Sequence, residues 1–322
     1  MHRFQIVIVT PAGADANNGN WQTAHRWVQM LSKAYRVRLA PAWEDGDESL
    51  LIALHARRSA ASVAAWRASA ADRPLVLVLT GTDLYRDIDH DAAARRSLVD
   101  ADRLVVLNEL GARRLPAQAR AKACIVLQSC SGRPTLAKTA RHLRALLVGH
   151  LREEKDPRTA FAAARRLADR PDILIDHAGA ALDRALGDEA VALAAALPGY
   201  RWLGPLPHQA ARRRIQAAHV LVHPSRMEGG ANVVIEAMRS GTPVLASRID
   251  GNVGLLGADY GGYFPVGDSA ALAAALRRLR DEPAALDALR AQCRARAPLF
   301  EPARERDSLL AVAAGVLGAA LP

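Results

Sequence analysis

Cysteine is scarce: Cys124, Cys130 and Cys293 are the three in 322 residues, with no Cys-x-x-Cys pair and no histidine cluster beside them. This argues against a disulfide framework or a structural zinc site and fits a reducing compartment, with Cys124 and Cys130 read as structural thiols. Aromatics make up only 4% of the chain, and the arginines are spread through alanine-rich stretches such as Ala162-Ala163-Ala164-Arg165-Arg166, without the basic and aromatic clustering that nucleic-acid binding requires. No apolar run approaches the ~18 to 20 residues of a membrane-spanning helix. The first run, Phe4 to Pro11, is too short for a signal-peptide core and has no small-residue cleavage site after it, so a cytoplasmic protein without stable membrane association is expected. No G-x-G-x-x-G follows any candidate strand, which argues against a nicotinamide dehydrogenase.

What remains is a globular composition, 50% hydrophobic and 24% charged, in a chain long enough for two domains. Its 43 basic and 33 acidic residues give a net charge of +10, which points toward an anionic partner without naming it. Short apolar runs alternate with segments of helical period, the pattern of parallel βαβ units. The expected strands are Phe4–Thr10, Val37–Ala40, Leu50–His55, Leu75–Thr80, Leu104–Leu107 and Ala123–Leu127, then Leu146–Gly149, Ile173–Ala178, Tyr200–Leu203, Val220–Pro224, Val244–Ala246 and Tyr263–Phe264. Twelve strands are too many for one eight-stranded barrel and divide into two doubly wound α/β sheets. The expected domains are 1–140 and 141–300, joined through the turn-rich stretch Gln128–Leu143, which would serve as a hinge. Helices are expected over Ser269–Arg280, Pro283–Ala297 and Glu301–Leu317. The terminal stretch 301–322 can belong to either domain, packing back on the N-terminal one being the arrangement to test. Two such domains would face a central cleft lined by strand ends, where small-molecule substrates bind.

The most informative string follows the tenth strand: His223-Pro224-Ser225-Arg226-Met227-Glu228-Gly229-Gly230-Ala231-Asn232, then a short helix carrying Glu236 and stopping at Gly241 and Pro243. Gly229 and Gly230 would let the backbone approach a ligand, and amides at the helix start suit a phosphate. Glu228 and Glu236 can accept hydrogen bonds from sugar or ribose hydroxyls. An arbitrary Glu pair would more often be a cap and a solvated side chain. A second string, Gly149-His150-Leu151-Arg152-Glu153-Glu154-Lys155, follows the seventh strand, and its Arg152 and Lys155 supply a guanidinium fork and a point charge for phosphate oxygens. In the first half, the loop Thr10 to Asn20 with Asn17, Asn18 and Gly19, the string His55-Ala56-Arg57-Arg58, and Thr80-Gly81-Thr82-Asp83 all follow strands.

The first two strings resemble the E-x7-E and G-R-L-x-x-x-K elements of glycosyltransferase family four, enzymes of the GT-B architecture with two Rossmann-like domains. That resemblance implies that Glu236 holds the donor ribose. Glu228 with Gly229, Gly230, Ala231 and Asn232 would hold the donor sugar, and Lys155 the leaving diphosphate. His150 stands where the family has arginine, so Arg152 is the candidate to supply the guanidinium. Catalytic roles are thereby expected for Lys155, Arg152 and Glu228, with no metal ligand. Longer strings, Ala53 to Ser59, Leu79 to Asp87, Gly149 to Arg152, Ser225 to Val234 and Ala246 to Gly257, are similar to the selenosugar synthase family of bacterial selenoneine biosynthesis. The resemblance implies transfer from UDP-N-acetylglucosamine, or another UDP-hexose, to selenophosphate, with no cofactor beyond the substrates and with other selenoneine-pathway enzymes as partners. It places the acceptor near Gly19, Asn20, Arg57, Arg58, Thr80, Gly81, Thr82 and Asp83. Rival readings are a family-four enzyme with a hydroxyl acceptor, either a small metabolite or a lipid, and a non-catalytic two-domain binding protein.

Overall fold

Leucine, isoleucine and valine runs closed by Gly, Pro, Ser or Asp form strands buried on both faces, since in a parallel sheet helices cover each side. The structure is a computed structural model that describes residues 4–11 and 19–320. Its strands are β1 (Gln5–Val9), β2 (Arg36–Ala40), β3 (Leu50–Leu54), β4 (Leu75–Leu79), β5 (Arg103–Val106), β6 (Ala123–Ile125), β7 (Leu143–Val148), β8 (Ile173–Ala178), β9 (Tyr200–Trp202), β10 (Val220–His223), β11 (Val244–Ser247) and β12 (Tyr263–Phe264). They form two six-stranded sheets, ordered β2-β1-β3-β4-β5-β6 and β12-β11-β10-β7-β8-β9. Every pairing is parallel. The two doubly wound α/β sheets read from the sequence are therefore present.

Each sheet has one point where the winding reverses, and ligands of such folds bind at the carboxyl ends of the strands there. In the first sheet it lies between β1 and β3, and in the second between β7 and β10.

The chain divides into two compact units, the first holding Met1–Ser129, Glu228–Ala231 and Glu301–Pro322, and the second Cys130–Met227 and Asn232–Phe300. The first sheet shows period-two packing. Ile6, Ile8, Leu50 and Ile52 join Trp27 and Leu31 on one face, while Val7, Val9, Leu51 and Ala53 join Trp43 and Trp66 on the other. Full burial of each such aliphatic side chain contributes about 1.5–3 kcal/mol, so the central strands carry much of this unit's stability.

The terminal helix Pro302–Leu317 starts with proline at its first turn and stops at Gly318, a left-handed cap. Its Leu309 and Ala313 join the Trp27 face of the first unit. Glu305, 1% exposed, accepts from Arg26, from Trp27 Nε1 at 2.7 Å and from the Ser129 amide at 2.8 Å. A buried carboxylate with that many donors is stable only if they all stay, so the cluster fixes the helix on this unit.

Two expectations need correction. Residues 130–140, expected with the first domain, lie in the second unit, whereas Glu228–Ala231, expected in the second, lie in the first. The stretch expected as a hinge has no helix or strand between Ile125 and Leu143, but it is not a loose linker. The Cys130 and Arg133 amides donate to Phe300 O and Arg239 O, and Gln216 Nε2 donates to Pro134 O at 2.7 Å. These bonds tie residues 130–134 along the second unit.

Candidate functional site

In the second unit, a hollow opens at the winding reversal, lined among others by Gly149, Lys155, His177, His223 and Ser225 from the ends of β7, β8 and β10. His177 is buried, its ring donates from Nε2 to Gly149 O at 3.1 Å, and Nδ1 meets the Tyr200 hydroxyl at 3.1 Å. Burial pushes its pKa down from 6.5 to about 4 and raises that of Tyr200, so the ring is neutral and the phenol keeps its proton to donate. His150, the departure from the expected arginine, accepts the Ala180 amide on Nδ1 at 3.1 Å. Burial first, then Arg152 and Lys155, lower its pKa. It is therefore neutral and tied to the β8 end, with its Nε2–H as the remaining donor.

Lys155 ends a short turn, Glu153–Lys155, after which Asp156 adopts a left-handed conformation (φ 47°) and the helix Pro157–Arg166 begins. Asp156 Oδ2 lies 2.8 Å from Thr159 Oγ1 and 3.3 Å from the Arg226 guanidinium, while the Arg226 amide donates to Glu154 O at 2.9 Å. Those contacts draw the two sequence strings together around one hollow, with Lys155 and Ser225 both on its wall. Arg152 is partly exposed and lies 4.0 Å from the Glu154 carboxylate.

Glu236 sits inside the short helix Asn232–Met238 and is 5% exposed. His208 Nε2 donates to its Oε1 at 2.7 Å. This histidine is silent in the sequence, because nothing in a span of 28 residues signals that two side chains meet. The only local clue was Pro205 and Pro207 stiffening the chain just before a helix start.

In the first unit, β3 ends at His55, which is buried with φ 74°, a strained value for a non-glycine residue and one that tends to occur at functional sites. The Arg58 amide donates to its Nδ1 at 3.3 Å, so in the neutral ring the proton is on Nε2, 3.0 Å from Thr82 Oγ1 and 3.9 Å from Asp87 Oδ2. Burial lowers the His55 pKa, opposed by Asp83 and Asp87. Arg57 and Arg86 bracket the buried Asp87 carboxylate at 3.2 and 3.0 Å. Arg58 is exposed. His55 and Asp87 thus join the arginines here, although the sequence marks this strand end mainly by its positive charge.

Asp83, expected to touch the acceptor, has another task. Its carboxylate accepts from the amides of Ala56, Thr80 and Gly81 at 2.8–2.9 Å and is fully buried, so it organises the loop after β4 and has little left for a ligand. Gly19 and Asn20 start the helix Gly19–Leu31, where Thr23 Oγ1 donates to Gly19 O; the loop residues Ala12 to Asn18 lie outside the described residues.

Gly229 and Gly230 are also required by local packing. A Cβ on Gly229 would collide with the Thr80 carbonyl, and one on Gly230 with Gln128 Oε1. Asn108 Nδ2 donates to Gly229 O at 2.7 Å, and Gly81 (φ 142°) faces the Gly229 amide. Glycine is thus required at 229 by the neighbouring Thr80 backbone and at 230 by the Gln128 and Leu107 side chains. Glu228 is 8% exposed and belongs to the same segment, Ala231 is buried beside it, and Asn232 opens the helix that carries Glu236. Among the described residues, no group of three or more His, Cys, Asp or Glu is arranged to hold a metal ion.

Comparison with known proteins gives a family and a fold. The family described as "Glycosyl transferases group 1" matches residues 133–299. D-inositol 3-phosphate glycosyltransferase 1 of Catenulispora acidiphila is 38% identical over 109 residues, 34% of this chain and 26% of that protein. Glycogen synthase of Mycobacterium tuberculosis is 33% identical over 154 residues, 47% of this chain and 36% of that protein. The matched segments thus span about a quarter to a third of those curated relatives. Among solved structures, sucrose-phosphate synthase from Thermosynechococcus elongatus superposes with a TM-score of 0.79 at 17% identity, covering 99% of this chain and 100% of that one. Anabaena HepE, solved in complex with UDP and glucose, gives 0.77 at 14% identity over 97% and 100%. At these identities the likeness concerns the fold, which is that of GT-B glycosyltransferases.

Proposed function

The chain belongs to the glycosyl transferases group 1 family, and we propose that it transfers a hexosyl group from a UDP-sugar to selenophosphate, UDP-N-acetylglucosamine being the expected donor. The observation that carries the donor half is the second unit's hollow, which has Lys155 on its wall at the winding reversal. An ammonium there stabilises the charge that develops on the departing diphosphate. Arg152, partly exposed three residues earlier, adds a second cation, and Glu236 accepts from the ribose. The resemblance assigns the donor sugar to Glu228 and the backbone from Gly229 to Asn232.

The acceptor half rests on charge near the end of β3. Arg57 and Arg86 share one buried carboxylate, and Arg58 adds an exposed guanidinium, so the region is net positive and suits a small polyanion. The selenium lone pair forms the C1–Se bond while the C1–O electron pair leaves with UDP. Water then cleaves the Se–P bond, giving phosphate and the 1-seleno sugar. A selenium anion needs no base to remove a proton, so positioning and leaving-group stabilisation carry the rate. No cofactor beyond the two substrates enters the scheme.

A hydroxyl acceptor is the second reading. It is favoured by His55, a strained, buried histidine 3.9 Å from Asp87, which has the makings of a general base. Incubating the protein with selenophosphate and a panel of UDP-sugars, then looking for UDP and a seleno sugar by mass spectrometry, separates the two. A selenium-containing hexose supports the first reading. Sugar transfer to alcohols with no selenium product supports the second.

A further inference from the structure

The pairing of His208 with Glu236 has no place in the scheme above. Pro205 and Pro207 hold the approach to the helix His208–Ala217, so His208 occupies its first position at a fixed angle. That helix is anchored from several sides. Thr242 Oγ1 donates to Ile215 O at 2.8 Å, and Arg212 reaches the backbone and hydroxyl of Ser131 at 2.5 and 3.0 Å. From this anchored start, Nε2 meets Glu236 Oε1 at 2.7 Å, and among the described residues no other side chain hydrogen-bonds this carboxylate. His208 itself is 40% exposed by its side chain, while that of Glu236 is 6% exposed.

We infer that His208 is a positioning residue for the nucleotide ribose: it fixes the plane of the Glu236 carboxylate so that Oε2 and the remaining lone pair of Oε1 accept from the ribose diol. This inference rests on the reading of Glu236 as the ribose acceptor. A terminal carboxylate torsion is broad and roughly two-fold, so without a partner the group samples orientations that a diol cannot use. A donor on one oxygen selects one orientation before the ligand arrives, and the ordering cost is met in the free protein. A mere surface ion pair predicts something different. Such pairs contribute little to stability and nothing to the discrimination between ribose and deoxyribose.

The test measures binding of UDP, 2′-deoxy-UDP and 3′-deoxy-UDP to the full chain by calorimetry, for the unsubstituted protein and for His208→Ala, His208→Gln and Glu236→Ala, with thermal melting recorded for each. His208→Ala should weaken UDP roughly fivefold to tenfold, the net worth of one ordinary hydrogen bond. Its penalty should shrink with at least one deoxynucleotide. His208→Gln should restore most of the affinity, because the Gln amide can donate where Nε2 does. UDP affinity unchanged in His208→Ala but lost in Glu236→Ala overturns the role of His208 alone. An equal penalty on all three nucleotides in His208→Ala does the same. Unchanged affinity in Glu236→Ala overturns the ribose reading and the role of His208 with it.

Discussion

Asp83 in the first unit and Glu236 in the second are both buried carboxylates in the chain that follows a strand, yet they are used in opposite ways. Asp83 accepts from three backbone amides, so its acceptor capacity goes into shaping the loop after β4. Among the described residues, the Glu236 carboxylate accepts from one side chain, His208, and keeps capacity for a ligand. The same contrast holds for the neighbouring cations. In the first unit, Arg57 and Arg86 converge on Asp87 at 3.2 and 3.0 Å, whereas Arg152 in the second stands 4.0 Å from the Glu154 carboxylate. A buried acid is thus a poor pointer to a ligand site until its donors are counted.

The largest expected effect breaks the comparison on its structural side. Asp83→Ala leaves the amides of Ala56, Thr80 and Gly81 without their acceptor, and a net loss of about 3 kcal/mol or more follows from the usual cost of buried unpaired donors. Urea denaturation reads this directly, and stability equal to that of the unsubstituted chain would mean that Asp83 is not scaffolding. Next comes Lys155→Ala. If the ammonium acts on the leaving diphosphate, turnover falls about a hundredfold while donor affinity changes far less, the pattern for an interaction made in the transition state. Steady-state kinetics against donor concentration checks it, and a rise in KM at constant kcat would reassign Lys155 to ground-state binding.

The strand runs and the two strings around Lys155 and Glu236 were legible in the sequence for a physical reason. Strands buried on both faces read as unbroken apolar runs, as in Leu50–Leu54 and Leu75–Leu79, and the loops after them carry Gly, Pro and charge. What escaped depends on long-range geometry. The meeting of His208 with Glu236, the donors around Asp83, and the packing of Gly229 on Thr80 join residues far apart in the chain. Periodicity reports which face is buried and not which partner lies there. The strain at His55 is equally silent, since a positive φ leaves no mark on a histidine in a sequence.

A smaller effect concerns pH. Burial holds His177 near 4 in the folded chain against 6.5 when free, so between those values the unfolded chain takes up the proton and the folded one does not. The contribution of His177 to stability is complete above pH 6.5 and declines as the pH falls toward 4. Denaturation midpoints taken at pH 7 and pH 4.5 should therefore differ less in His177→Asn than in the unsubstituted chain. An identical difference in both would remove His177 as a source of acid sensitivity. The smallest effect is expected at Arg58, whose exposed guanidinium is screened by salt. Arg58→Ala should raise the selenophosphate KM severalfold at low ionic strength and less at high. A KM independent of salt in both proteins would argue against an anion site at the end of β3.

The contrast between the units is tested most directly by initial-rate kinetics with UDP-sugar and selenophosphate varied together, for the unsubstituted chain, Arg58→Ala and Glu236→Ala. Glu236→Ala should raise the donor KM and leave the acceptor KM in place, and Arg58→Ala should do the reverse. Both substitutions acting on the same substrate would contradict it.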